Sequence, residues 1–288
     1  SALGPIGVSS ITTTSGGAVS FSNGGALTIG GAINADGAVT QNTSGGVALN
    51  ADVSTTSDPV RFTGPVTLGG SRAIDTSFGG GGDINFANSL DGGGNNLTLN
   101  AGAAGNIIFN GVLTNFGALN LSRVNNLALL GGFTGTGLIQ GSGAGSTTLG
   151  GVIITTGPLG VSITTNGTVT VTGLINTNND PVTFNASNWN FGGSTVTAGT
   201  RPITISQVSN GTINIGSQID TADLAALVTN QLYIGGVSNT GIVNVDGSAN
   251  FAATTPNVAL RATGSGGRIT QTSPTAILGS PSTLFTLG

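Results

Sequence analysis

A short pattern, apolar–x–apolar with a mostly polar centre, recurs along the chain at intervals of a few residues, and it limits the fold more than any other feature. Early examples are Val19-Ser20-Phe21, Leu27-Thr28-Ile29, Val47-Ala48-Leu49, Val60-Arg61-Phe62 and Val66-Thr67-Leu68. Later ones include Ile84-Asn85-Phe86, Leu97-Thr98-Leu99, Ile107-Ile108-Phe109, Val169-Thr170-Val171, Val182-Thr183-Phe184, Ile203-Thr204-Ile205 and Ile213-Asn214-Ile215. Alternation at period two sends the outer pair to one face and the centre to the other, the signature of a half-buried strand. Gly, Asn or Pro commonly bounds each unit, which marks corners.

The strands lie too close together for βαβ crossovers, which need a dozen or more residues. Antiparallel hairpins are an alternative, but they would leave open edges. Three short strands per coil of roughly 20–25 residues, stacked coil on coil, account for the spacing. We therefore expect an all-β parallel β-helix, a solenoid of roughly a dozen three-strand coils, spanning 1–288 as a single array. At ~4.8 Å per coil it would form a rod on the order of 60 Å long. Composition agrees: the chain has 52 Gly and no Lys, Glu or Met, so good helix formers are scarce.

Longer echoes suggest duplicated groups of coils. Residues 47–71 resemble 169–194, with Asp58-Pro59-Val60-Arg61-Phe62 answered by Asp180-Pro181-Val182-Thr183-Phe184. In that alignment Trp189, the lone Trp, takes an inward strand position. Four strands end in Asn followed by Ala or Gly (at Asn50, Asn100, Asn110 and Asn185), which suggests left-handed Asn corners. Segment 220–228 departs from the pattern: Asp220 resembles an N-cap, so either a one- or two-turn helix on a corner or a strand in register with Leu232-Tyr233-Ile234 is expected there.

Chemistry is scarce. His, Cys, Lys and Glu are absent, which removes Ser-His and Cys-His nucleophiles, a Lys base and imidazole metal ligands. The ten acidic residues are all Asp and lie apart in sequence, with Asp58 and Asp83, which one coil could bring together, reading as turn residues, so no catalytic residue, metal site or cofactor is assigned and an enzyme is not expected. Gly79-Gly80-Gly81-Gly82-Asp83 is read as a flexible corner in preference to a calcium turn. Six scattered Arg and a net charge of −4 argue against nucleic acid as partner, and no apolar run is long enough to insert in a membrane. Both ends are apolar and without a polar cap. Leu3, Ile6 and Val8 at one end, and Ile277, Leu278, Leu284, Phe285 and Leu287 at the other, are the expected assembly termini. Copies of the chain or neighbouring solenoid segments are the expected partners, with a glycan as the alternative.

Three stretches carry a resemblance: Gly82-Asp83-Ile84-Asn85-Phe86, Asn95 to Gly102, and Gly105-Asn106-Ile107-Ile108-Phe109-Asn110-Gly111. Val258-Ala259-Leu260-Arg261-Ala262 leading to Gly267-Arg268-Ile269-Thr270-Gln271-Thr272 adds a fourth. In repeat style they resemble filamentous haemagglutinin-like proteins. That resemblance implies a right-handed β-helix, bacterial export and a surface or matrix role; the expected function is a segment or subunit of an extracellular filament, cell-surface fibre or matrix, with an adhesin passenger or stalk as the alternative. The Asn-Pro-Asn-type motif of two-partner secretion domains does not occur.

Overall fold

The computed structural model describes residues 4–236, 241–251, 257–262 and 266–272, together with the backbone of 277–278 and 284–285. Leu3 and Leu287 lie outside the described residues, as do the side chains of Ile277, Leu278, Leu284 and Phe285. The chain winds as a parallel β-solenoid, every strand pairing being parallel. Each early coil contributes one strand to each of three faces. Ile6–Val8, Leu27–Ile29 and Val47–Leu49 begin the first face. Ile11–Thr12, Ile33–Ala35 and Val53–Thr55 begin the second, and Val19–Phe21, Val39–Gln41 and Val60–Phe62 the third.

Stacking in register turns the sequence pattern into apolar columns. On the third face Val19, Val39, Val60, Ile84, Ile107 and Leu127 lie one above another. Beside them Phe62, Phe86 and Phe109 stack with ring centroids 5.6 and 5.3 Å apart. On the second face Ile33, Val53, Ile74, Leu99 and Leu121 do the same. All are buried, and each buried aliphatic or aromatic side chain contributes roughly 1.5–3 kcal/mol. Trp189 sits in the third-face column beside Val169 and is 2% exposed, so it fills the core as its repeat position suggested.

The middle of the rod differs from three short strands per coil. In several coils from Leu113 onward the first two faces fuse into single bent strands, Leu113–Arg123, Phe133–Gln140, Ile153–Thr164 and Thr195–Gln207, while the coil with Leu174–Asn176 and Val182–Ala186 keeps them separate. The pairing shifts at their bends, so each corner is a bulge that keeps the ladder running. The two similar segments also occupy different faces. Val47–Leu49 lies on the first face while Thr168–Val171 lies on the third. Val60–Phe62 lies on the third while Val182–Ala186 lies on the second. The offset between the copies is not a whole number of coils, and an apolar–x–apolar strand suits any face because all three meet the same core.

Corners resolve differently from the Asn expectation. None of Asn50, Asn100, Asn110 and Asn185 is left-handed; Ser57, Asn115, Asn178 and Asn179 are. Asn50 and Asn110 instead continue the ladder, their N–H groups donating to Ile29 and Phe86 carbonyls. In the glycine corner Gly79, Gly80 and Gly81 are all at positive φ. A Cβ on Gly81 would fall 1.9 Å from the Ala101 carbonyl oxygen, so the next coil's corner crosses it too closely for any side chain.

Polar atoms enter the core where they can be paired. Gln41 interrupts the Phe column, yet its amide donates to Asn23 Oδ1 at 3.0 Å and the Gly45 carbonyl at 3.1 Å. Its Oε1 accepts from the Thr63 and Gly64 N–H groups, both at 2.9 Å. Gln140 is less well served: Oε1 accepts from Thr147 Oγ1 at 2.8 Å, while the buried Nε2 has no partner. Replacing both partners at once, Gln140→Leu with Thr147→Val, should therefore raise stability by about 1–3 kcal/mol in denaturant melts. Phe86→Ala, which empties the centre of the ring stack, should cost about 3–5 kcal/mol in the same assay.

Candidate functional site

The first described coil presents a backbone edge on its outer side. Ile6 N–H donates to the Ala26 carbonyl and the Gly30 N–H to the Val8 carbonyl, each at 2.8 Å. In a parallel ladder alternate residues bond to opposite neighbours, so the Gly7 peptide groups face away from the second coil. Thr12 and Ser20 face away likewise, because Ile11 and Thr13, and Val19 and Phe21, make the bonds to the second coil. Among the described residues no strand lies on that outer side. Ile6 and Val8 are half-buried, whereas Leu27 and Ile29 directly behind them are fully buried.

Ile6 and Val8 thus lie in the apolar column that the sequence assigned to one end. At the other end the backbone of 277–278 pairs with Ala249–Asn250, and that of 284–285 with 259–260. The two groups of terminal residues lie on different coils and do not come together.

Two lateral features escaped the sequence reading. One is a polar ladder along a corner. Asn106 donates from its N–H and its amide to Asp83 Oδ1 at 2.7 and 2.9 Å, and Asn126 repeats both bonds to Asn106 Oδ1 at 3.2 and 2.9 Å. Ser146 N–H then donates to Asn126 Oδ1 at 2.8 Å. Asp83 is therefore the foot of a hydrogen-bonded stack. The other is a ridge of exposed Val112, Leu130, Val152 and Leu174 along a corner of consecutive coils. Val112, Val152 and Leu174 each directly precede a buried first-face residue, Leu113, Ile153 or Ile175, in one register column. A lone apolar residue beside glycine carries no periodic signal, so only the register shows that they align.

Of the two alternatives for 220–228 the helix is the one realised. Thr221–Ala226 is a helix and Leu227–Ile234 a strand that rejoins the solenoid. Asp220 caps the helix, accepting from Ala222 and Asp223 N–H groups at 2.8 and 2.9 Å. Asp223, 7% exposed, accepts from Phe191 N–H at 2.5 Å and from Asp220 N–H at 3.3 Å. It pins the helix onto the neighbouring coil. Burial raises its carboxyl pKa above the ordinary 3.8, an effect that the Phe191 and Asp220 N–H groups oppose.

Among the described residues no group of three Asp, Glu, His or Cys could hold a metal ion. No helix among them is long and apolar enough to cross a membrane. No family model, curated protein or solved structure matches the chain.

Asp223 yields a test. A carboxyl raised in the folded state contributes stability that is fully present below the unfolded value and lost as pH rises through the folded one. The difference in melting temperature between wild type and Asp223→Asn should therefore shift in favour of wild type on acidification toward pH ~4. A pH-independent difference would show that this carboxyl is not buried against Phe191.

Proposed function

We propose that the chain is a structural rod, a segment or subunit of an extracellular or bacterial cell-surface filament that extends through its end coils. The observation that supports this best is the outward-facing backbone of Gly7, Thr12 and Ser20 on the first coil. A parallel edge without a strand partner among the described residues, above a half-covered apolar column, is a template for one more coil, supplied by another copy or by a neighbouring solenoid segment. A head-to-tail contact of that kind does not close on itself and grows into a fibre. The ridge from Val112 to Leu174 offers such rods a line of side-by-side contact, with the adjacent glycines allowing close approach.

The absence of His, Cys, Lys and Glu supports a role in shape and rigidity and not in catalysis, with no cofactor. The repeat style shared with filamentous haemagglutinin-like proteins supports the same surface role. In this reading the ladder supplies the rigidity, and the scarcity of charge suits close packing of like chains.

Electron microscopy over a concentration series tests the proposal. Wild type should lengthen into uniform filaments with a ~4.8 Å axial repeat. Gly7→Pro should stay as short rods with an unchanged circular dichroism spectrum. That substitution removes only the N–H facing away from the second coil, at a position with no atom within 4 Å of an added Cβ. Single short rods of wild type at every concentration would overturn self-assembly.

A further inference from the structure

On the second face, near the first coil, four successive coils line a groove of about 660 Å³. Register builds it from two outward rows. Thr12, Asn34, Ser54 and Asp75 form one row, aligned strand on strand. One residue farther along each chain segment, Ala35, Thr55 and Thr76 turn inward and are buried. The next residues, Thr14, Asp36, Thr56 and Ser77, form the second row along the groove. Phe78 follows on the short turn Phe78–Gly80, its carbonyl accepting from the Ser57 hydroxyl.

Phe78 is 73% exposed, more than any other large apolar side chain among the described residues. Each Phe that forms a ring pair is buried, whereas the Phe78 ring is held in water at the rim of the groove. Leaving it there forgoes roughly 1.5–3 kcal/mol of burial.

The polar rows are pre-organised. Asp36 accepts from Thr56 Oγ1 at 2.6 Å and from Gly16 N–H at 2.8 Å. Asp75 accepts from Ser77 N–H at 2.8 Å, with the Asn100 amide at 3.5 Å, and Asn34 Oδ1 accepts from Ser54 Oγ at 2.8 Å. An ionised carboxylate has about four acceptor positions, so both Asp residues keep capacity for further donors. No basic side chain lines the groove. An aromatic face beside fixed carboxylate, amide and hydroxyl groups is the chemistry that holds a sugar: the ring stacks on its C–H face and the acceptors take its hydroxyls. The two carboxylates, with no balancing cation, disfavour anionic glycans. Coils rise by ~4.8 Å, close to the length of one sugar unit in an extended chain, so successive coils can address successive sugars.

We infer that this groove binds a neutral polysaccharide laid along the rod axis, with Phe78 stacking on a sugar ring and Asp36 and Asp75 accepting from its hydroxyls. Sugar binding in this groove is independent of filament growth at the first coil.

Isothermal titration of the full chain with neutral gluco-, xylo-, manno- and galacto-oligosaccharides, and with heparin as the anionic comparison, tests it. At least one neutral class should bind. Phe78→Ala should weaken that binding about tenfold or more, Asp75→Asn should weaken it measurably, and Leu174→Ser, on the ridge, should leave it unchanged. Phe78 is exposed and Asn can still accept from Ser77, so both groove variants should fold, as circular dichroism will show. No binding of any neutral glycan at millimolar concentration would overturn the inference. So would neutral binding that Phe78→Ala leaves intact, or a preference for heparin.

Discussion

The parallel ladder between successive coils is the constraint on which the rest of the structure depends. Each coil takes its backbone partners from the coils on either side, so a residue's place is set by what lies about 20–24 positions away in the early coils and about 26–31 in the later ones. Once the ladder holds, like stacks on like. Aliphatic side chains form continuous columns, Phe62, Phe86 and Phe109 stack ring on ring, and Asn106 and Asn126 repeat the same pair of bonds at the same corner. None of these contacts is local, and all are repeated, which is how a chain with so little charge and no disulfide gains order.

Departures from the repeat are accommodated without breaking the ladder. Long bent strands take bulges at their corners, and the helix Thr221–Ala226 is inserted between two strands that still pair with their neighbours. Asp223 makes that insertion definite, because the Phe191 and Asp220 N–H groups meet one buried carboxylate. Gln41 shows the same logic inside the core: a polar side chain is tolerated where all of its bonds are made. Gln140 falls short of that standard by one N–H.

The two surfaces with functional promise differ in kind. The first coil offers backbone, which accepts any chain able to continue the ladder. The groove beneath Phe78 offers side chains, whose chemistry selects a ligand. They lie near the same end of the rod, so a filament joined at the first coil would carry a groove beside each junction.

How far the sequence could be read is set by periodicity. Strands such as Val60-Arg61-Phe62, the inward side of each, the coil length and the cap at Asp220 were all legible, because each follows from alternation or capping within a few residues. The Asn corners were misread, since a tolerance for left-handed backbone does not oblige Asn50 or Asn110 to adopt it when a ladder bond competes. The groove was invisible: Thr14, Asp36, Thr56 and Ser77 are ordinary turn residues until stacking sets them in one row. The sequence by itself determined a stack of coils around an apolar core, because the period-two pattern admits no other economical burial. Only the tertiary structure decided the register, and with it the face each repeat occupies, the alignment of Val112, Val152 and Leu174, and the placement of Phe78 beside Asp36 and Asp75. Three similar faces accept the same strand, so the choice among them is made by the ladder with neighbouring coils and not by the strand itself.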